Sequence, residues 1–366
     1  MSRVILKNIY KNCAKLPFFQ ELNIDVEDQS FSVLTGPAGA GKSLVLRLIA
    51  GLEEPSRGDI LIDDVSVRGL APQKRDIAMV FQNFALYPNM TVFANMAFGL
   101  KIKGFKRKEI LSRICAAAEM LNIEHVLGKY PKTLTKEQKQ RTAIGRAIVK
   151  KPKLFLFDEP LANTDLQSRA QMRLLLKQLH KNLKATFIYA TRDNTEALSM
   201  GDKISVFKDG FLLQTADNIE IYNNPSHYFT ASFMGSPKMN FFEADILRKS
   251  NGDICLNEGS FEILASADKY KEKLITNLGQ KAIVGIRPQH LHIKTDSILD
   301  TANSFKASVE LIESFGREVH LHCKIGKKRV VIIKNEQEVK AADEIDIMID
   351  ASNILIFNMS DGARIV

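Results

Sequence analysis

Apolar and polar residues alternate in two stretches near the start of the chain, Val4-Ile5-Leu6-Lys7-Asn8-Ile9 and Leu22-Asn23-Ile24-Asp25-Val26, and the period of two predicts edge-type strands. Phe31-Ser32-Val33-Leu34 reads as a short buried strand, and Leu44 to Ala50 follows as a helix closed by Gly51. Gly58 to Val67 reads as a hairpin turning at Asp63 and Asp64, and Asp76 to Gln82 as an apolar run that ends in a lone amide. Arg107 to Leu121 carries Ile110, Leu111, Ile114, Ala117, Ala118 and Leu121 at helical spacing, which predicts a helical subdomain. Leu154-Phe155-Leu156-Phe157 and Ala185 to Thr191 are further buried-strand patterns, and Met172, Leu175, Leu176 and Leu179 between them are spaced for one buried helix face. Beyond Phe242 short alternating strands and the turn signals Asn251-Gly252 and Gly326 predict a small β-barrel. Strands interleaved with helices, then strands alone, make the fold class α/β with an all-β tail.

Length changes this picture little: 366 residues make two domains the natural expectation. A hydrophobic content of 45% and a charged content of 25% are those of a soluble globular protein. No apolar run approaches the roughly twenty residues needed to span a bilayer, and Met1-Ser2-Arg3-Val4 opens straight into a strand pattern, so a cytosolic protein is expected. Cys13, Cys115, Cys255 and Cys323 form no C-x-x-C pair, which argues against a zinc site or a disulfide framework. The net charge of +9 raises nucleic acid or an anionic membrane as partners, but the basic residues are dispersed. Their densest run, Lys101, Lys103, Lys106, Arg107 and Lys108, is broken by glycine and aromatic residues and reads as a solvated helix face.

The chemistry begins between the first buried strand and its helix. Thr35-Gly36-Pro37-Ala38-Gly39-Ala40-Gly41-Lys42-Ser43 fits the phosphate-binding pattern G-x-x-x-x-G-K-[ST] at every fixed position. Glycines let backbone N–H groups turn inward around a polyphosphate, the lysine adds a point charge, and the serine hydroxyl is a ligand for Mg²⁺ at a helix N-terminus. Residues Gly36, Pro37, Ala38, Gly39, Ala40, Gly41, Lys42 and Ser43 are therefore expected to bind the phosphates of a nucleotide, with Ser43 also on the metal.

Further along, Met79-Val80-Phe81-Gln82-Asn83-Phe84-Ala85-Leu86-Tyr87-Pro88 closely resembles the Q-loop of ATP-binding cassette importers, in particular the ATPase subunits for maltose-type oligosaccharides and glycerol phosphate. The resemblance implies that Gln82 reaches the Mg²⁺ and the attacking water, and that the apolar residues after it line a groove for a membrane-spanning subunit. A loop with Phe84, Leu86, Tyr87 and Met90 is otherwise apolar enough to need cover. Leu134-Thr135-Lys136-Glu137-Gln138, with Gln140, Arg141, Ala143, Arg146 and Ala147, resembles the family's signature segment L-S-G-G-Q and its helix. By resemblance Thr135 and Gln138 contact the ATP held by the opposite subunit. Asp158 and Glu159 resemble the Walker B pair, which implies Asp158 on Mg²⁺ and Glu159 as general base, and Leu161-Ala162-Asn163-Thr164-Asp165 resembles the D-loop. The family has Thr-His-Asp where this chain has Thr191-Arg192-Asp193, so Arg192 takes the catalytic position of the switch histidine. The run Gly235 to Phe242 marks the boundary between an ABC-type nucleotide-binding domain, 1–235, and an accessory oligonucleotide-binding-like β-barrel domain, 236–366. Val284 to Leu291 resembles the repeat element of that barrel.

Three departures bear on rate. Lys136 and Glu137 replace two signature glycines, bringing bulk and a negative charge to a contact that glycine permits, so a weakened clamp is expected. Arg192 donates to a γ-phosphate but cannot reproduce an imidazole's placement. Cys13 stands where the family has an adenine-stacking aromatic, with Tyr10 and Phe18 as the nearby alternatives. The expectation is an ATP-binding, ATP-hydrolysing subunit powering import of a sugar or related polar solute, peripheral on the cytoplasmic face of the membrane. Its expected partners are two permease subunits, a solute-binding protein and a second cassette. The alternative is a subunit that binds ATP but is impaired in hydrolysis and serves a structural or regulatory role. An intact partner would leave neither site whole, since each composite site takes its switch from one subunit and its signature from the other, so a homodimer is expected, or a heterodimer with two unequal but both altered sites. Nucleic-acid-associated cassettes carry long coiled coils or duplicate the cassette, and this chain does neither. His290, His292, His320 and His322, read as alternate strand positions, are assigned no role.

Overall fold

The computed structural model describes residues 2–13, 16–265, 268–294, 303–335 and 343–366. The chain divides into two compact units, Met1–Ile221 and Tyr222–Val366.

In the first unit, β1 (Val4–Cys13) and β2 (Leu16–Val26) pair antiparallel, and β1 pairs on its other side with β4 (Arg57–Ile62). With β5 (Val65–Ser66) the order is β2-β1-β4-β5, so β1 is an internal strand and not the edge strand its alternation predicts. The alternation marks one wetted face; it does not report how many neighbours a strand has. Asp63 and Asp64 both take left-handed backbone angles and make the expected turn between β4 and β5.

The second sheet of this unit has the order β10-β9-β3-β8-β7-β6. It contains β3 (Phe31–Thr35), β6 (Ile77–Val80), β7 (Leu154–Asp158), β8 (Thr186–Thr191), β9 (Lys203–Lys208) and β10 (Phe211–Ala216). All neighbours are parallel except β10 on β9. Strands β3, β7 and β8 are buried along their whole length, which is why they read as continuous apolar runs. Helix α1 (Lys42–Ala50) lies between the two sheets: Val45, Leu46, Leu48 and Ile49 share one core with Leu6, Ile24 and Ile60 of the antiparallel sheet and Leu34, Leu156 and Ile188 of the parallel one. Burying each such side chain is worth about 1.5–3 kcal/mol, so the helix is anchored by both layers.

Helices α2 (Val92–Ile102), α3 (Arg107–Met120) and α4 (Lys136–Ile148) pack together as the helical subdomain. Ile110, Ile114, Ala117 and Ala118 are buried as spaced, but Leu111 is 51% exposed. A position one residue after Ile110 is turned about 100° away from it around the helix. Helices α5 (Leu166–Leu183) and α6 (Asn194–Met200) also belong to this unit.

In the second unit, β11 (Asn240–Arg248), β12 (Ile254–Asn257), β13 (Glu262–Leu264), β14 (Lys281–Ile286) and β20 (Leu355–Asn358) form one antiparallel sheet. A second is made by β15 (Leu291–Ile293), β16 (Ser304–Phe315), β17 (Glu318–Ile325), β18 (Lys328–Asn335) and β19 (Glu344–Ile349). Both curl around one core that includes Ile246, Val284, Leu321, Ile332 and Ile356, and Asn240 of β11 ties them by hydrogen bonds to the backbone of Val331. His290 is not on a strand: it ends a 3-10 turn, Pro288–His290, because Pro288 cannot donate to a ladder. His320 and His322 lie on β17 beside Glu318 and Glu313, at 2.7 and 2.9 Å.

Candidate nucleotide site

The residues of interest sit just past the carboxyl ends of neighbouring parallel strands: Gly36 after β3, Gln82 after β6, Glu159 after β7 and Arg192 after β8. Crevices outside the carboxyl ends of open α/β sheets are where such folds bind ligands.

The phosphate loop leaves β3 through Gly36, whose φ of +147° and lack of Cβ are both needed, since a Cβ there would lie 2.2 Å from the Phe207 carbonyl oxygen. Gly41 caps α1 in the left-handed region, φ +109°, with the Phe19 ring 2.7 Å from where a Cβ would stand. No side chain caps α1, so its first-turn N–H groups face the loop and the positive end of the helix dipole is available to an anion. The Lys42 ammonium, 3% exposed, donates to the carbonyls of Gly36 and Pro37, both at 2.8 Å, and spans the loop from inside. Burial pushes its pKa down, against the pull of Glu159. At the other end of α1, Arg75 donates to the carbonyls of Leu48 and Ile49 and to that of Leu70. It fills the helix C-terminus with positive charge and fixes the helix that carries the loop; no motif in the sequence points to it.

Asp158, buried at the end of β7, accepts from the Ser43 hydroxyl at 2.6 Å. Burial raises its pKa and the Ser43 hydrogen bond pulls it back. A hydroxyl and a carboxylate held together are the hard oxygen donors that Mg²⁺ takes, so the residues present fit that ion. Glu159 takes a left-handed φ of +43°, its N–H donates to the Ala190 carbonyl, and its carboxylate is 11% exposed. Its Oε1 lies 3.9 Å from the Lys42 ammonium, and its Oε2 accepts from both Nε and Nη2 of Arg192, at 2.7 and 2.6 Å. The β6–β7 register pairs Val80 with Phe157, so the chain leaves β6 toward Gln82 at the same edge where Asp158 ends β7 and Glu159 follows it. The Gln82 carbonyl accepts from Asn163 at 3.3 Å, linking the two loops, while no hydrogen bond joins the Gln82 side chain to Ser43 or Asp158.

The signature residues are not brought to this site within the chain. Thr135 is the N-cap of α4 and forms a reciprocal capping box with Gln138: the Thr135 hydroxyl accepts from the Gln138 N–H, and the Gln138 amide oxygen accepts from the Thr135 N–H. Glu137 is turned along the helix onto Arg141, with contacts of 2.6 and 2.9 Å. Its charge is therefore neutralised one turn away, which removes the electrostatic ground for a weakened clamp and leaves the steric one. Arg146, a turn and a half further along α4, donates to the carbonyls of Ala85 and Phe84 and lies 5.7 Å over the Tyr87 ring, so the same helix holds the apolar loop after Gln82. Asn95 of α2 completes that hold through the backbone of Tyr87, Met90 and Thr91, and it too carries no sequence signal. Tyr87 is left 41% exposed.

Beyond Arg192, Asp193 caps α6 and pairs with Arg169 of α5 at 3.2 Å. Glu196 accepts from the hydroxyls of Tyr189 and Thr191, and burial raises the pKa of its carboxyl. Asp165 of the D-loop caps α5 through the Ser168 N–H. Of the three residues considered for adenine, Tyr10 pairs in register with Arg57 on β4, Phe18 packs beside Gly41, and the side chain of Cys13 lies outside the described residues. Among the described residues no helix is long and apolar enough to cross a membrane.

A glycine cradle, a buried lysine, a serine–aspartate pair and a second acid at the ends of parallel strands define a P-loop nucleotide-binding protein. Family models agree: one described as ABC transporter matches residues 19–162, one for the MalK OB fold domain residues 235–291, and a TOBE domain residues 284–357. An uncharacterized ABC transporter ATP-binding protein of Bacillus subtilis is 41% identical over 362 residues, 98% of each chain. The trehalose/maltose import ATP-binding protein MalK of Thermococcus litoralis is 40% identical over 376 residues, with both chains covered in full. A dimeric ATP-binding cassette solved in a post-hydrolysis state with ADP and Pi superposes with a TM-score of 0.54 at 28% identity, over 59% of this chain and 98% of its own. The chain belongs to the ATP-binding cassette transporter family, as an ATP-binding ATPase subunit of the importer type.

Proposed function

We propose that this chain hydrolyses ATP to drive import of a sugar or related polar solute, bound at the cytoplasmic face of the membrane to two permease subunits that a solute-binding protein supplies. The trehalose/maltose relative, matched over its whole length, supports the solute class, and the dimeric neighbour supports a pair of cassettes, which we take to be two copies of this chain. The observation that carries the reading is the assembled set of Lys42, Ser43, Asp158 and Glu159 around one loop.

In this reading, N–H groups of residues 38–43 and the Lys42 ammonium hold the β- and γ-phosphates. Ser43, Asp158 and Gln82 hold Mg²⁺, which when bound neutralises charge on the phosphates. Glu159 takes a proton from a water that attacks the γ-phosphorus in line; a new P–O bond forms, the bridging P–O bond breaks, and ADP leaves with its oxygen carrying the electron pair. Thr135, through its hydroxyl, and Gln138 close on the γ-phosphate in the second copy's site. The accessory domain, 236–366, serves subunit contacts and regulation.

The second reading, an ATP-binding subunit impaired in hydrolysis, is favoured by the Arg192 contact on Glu159. Steady-state ATP turnover of the assembled transporter, compared with Glu159→Gln, decides between them: a loss of at least a hundredfold supports hydrolysis, and equal rates exclude it. Magnesium-dependent ATP affinity that survives Lys42→Ala would sink both.

A further inference from the structure

Glu159 can take the water's proton, the role on which this inference rests, only as a free carboxylate. The structure instead gives it a partner on each oxygen: Lys42 at 3.9 Å from Oε1, and two Arg192 N–H donors on Oε2. Both guanidinium contacts that the structure gives Arg192 go to that one oxygen.

The neighbouring acids are engaged elsewhere. Asp193 uses Oδ1 to accept from the N–H groups of Thr195 and Glu196, and Oδ2 to accept from Arg169. Glu196 has Oε2 filled by the Tyr189 and Thr191 hydroxyls and Oε1 3.8 Å from Arg169. Asp193 and Glu196 are thus both turned to Arg169 and to donors of their own, and Glu159 is the carboxylate that Arg192 reaches. A histidine's shorter, single-donor reach would not bracket an oxygen in this way. Arg192 is also free to leave: its side chain is 48% exposed, and a cavity of about 280 Å³ walled by Ala162, Arg169, Thr191 and Arg192 adjoins the pair.

We propose that Arg192 is a gate on hydrolysis. Without triphosphate it holds the Glu159 carboxylate; with triphosphate it exchanges that partner for the γ-phosphate, a more highly charged acceptor for the same planar fork. Turnover then requires the exchange, and affinity for ATP, but not for ADP, is set against the strength of the ion pair. Arg192 is a positioning residue for the base as well as a γ-phosphate ligand.

Four variants test this in the full chain and the assembled transporter. Arg192→His raises kcat five- to tenfold with KM for ATP little changed, because the base is released and a γ-phosphate donor is kept. Arg192→Ala weakens Mg-ATP binding about tenfold, equivalent to 1.4 kcal/mol, and leaves Mg-ADP binding unchanged. Glu159→Gln tightens Mg-ATP binding about tenfold by freeing Arg192, and the gain disappears when Arg192→Ala is added. A kcat for Arg192→His at or below the parent's overturns the gate, as does a Glu159→Gln gain that persists in the double variant. The functional reading fails separately, when Glu159→Gln turns over ATP at the parent's rate.

Discussion

Arg75 offers a sharp test of how the phosphate loop is held. Its side chain is 1% exposed and carries three hydrogen bonds to backbone carbonyls, those of Leu48, Ile49 and Leu70, besides an ion pair with the half-exposed Glu54 at 3.2 Å. Both carbonyls of α1 lie in its last turn; that of Leu48 also accepts from the Gly51 N–H, so the buried Ile49 carbonyl is the one that depends on Arg75. Arg75→Met keeps much of the volume and removes every donor. Hydrogen bonds from a charged group contribute roughly 1.5–3 kcal/mol each, but water can reach part of the site from the Glu54 side, and removing a buried guanidinium also removes its desolvation cost. The net expectation is about 2 kcal/mol, near the cost of leaving the buried Ile49 carbonyl unpaired. For a unit of 221 residues this lowers the midpoint of thermal unfolding by roughly 4–8 °C. The assay is calorimetry of the full chain, following the transition that Mg-ATP shifts upward, which marks the nucleotide-binding unit. Arg75→Lys should recover no more than a third, because one ammonium cannot span the α1 carbonyls and Leu70 together. A shift under 2 °C for the methionine variant would refute the claim that this guanidinium secures the helix.

Gly36→Ala should destabilise the same unit and abolish ATP binding, read by calorimetry and equilibrium binding, because its Cβ meets the Phe207 carbonyl oxygen at 2.2 Å in a left-handed backbone. Thr135→Ala should cost about 1 kcal/mol by removing the cap of α4, whereas Thr135→Ser keeps it; equal melting points for the two would contradict the capping box. His180 of α5 packs against Phe31 and Phe187, with ring centroids 5.3 and 5.0 Å away, and burial lowers its pKa below the usual 6.5. The unfolded chain then binds the proton more readily, so the stability His180 contributes is present above pH 6.5 and lost as pH falls toward its folded-state value. The native chain should therefore lose more of its melting temperature between pH 7.5 and 5.5 than His180→Asn does, and parallel losses would contradict the assignment.

How much is legible differs from element to element. The phosphate loop, the hairpin at Asp63-Asp64, and β3, β7 and β8 can be read because each depends on local rules: glycine's backbone freedom, turn chemistry, and the continuous apolarity of a strand covered on both faces. Arg75 and Asn95 cannot, because each bonds to backbone groups, which every residue carries, and so leaves no complementary signature in the chain. Glu137 misleads for a related reason: its identity declares a charge, but only the helix shows that Arg141 neutralises it.

The order of motifs along the chain determined the family and, through it, the nucleotide, since that order follows from residue types at fixed spacing. Tertiary structure alone decided that Arg192 rests on Glu159, residues 33 positions apart joined by the parallel pairing of β7 and β8. Sequence states which charges exist; which of Asp193, Glu196 and Glu159 pairs with which of two guanidinium groups is settled only by distance in the folded chain.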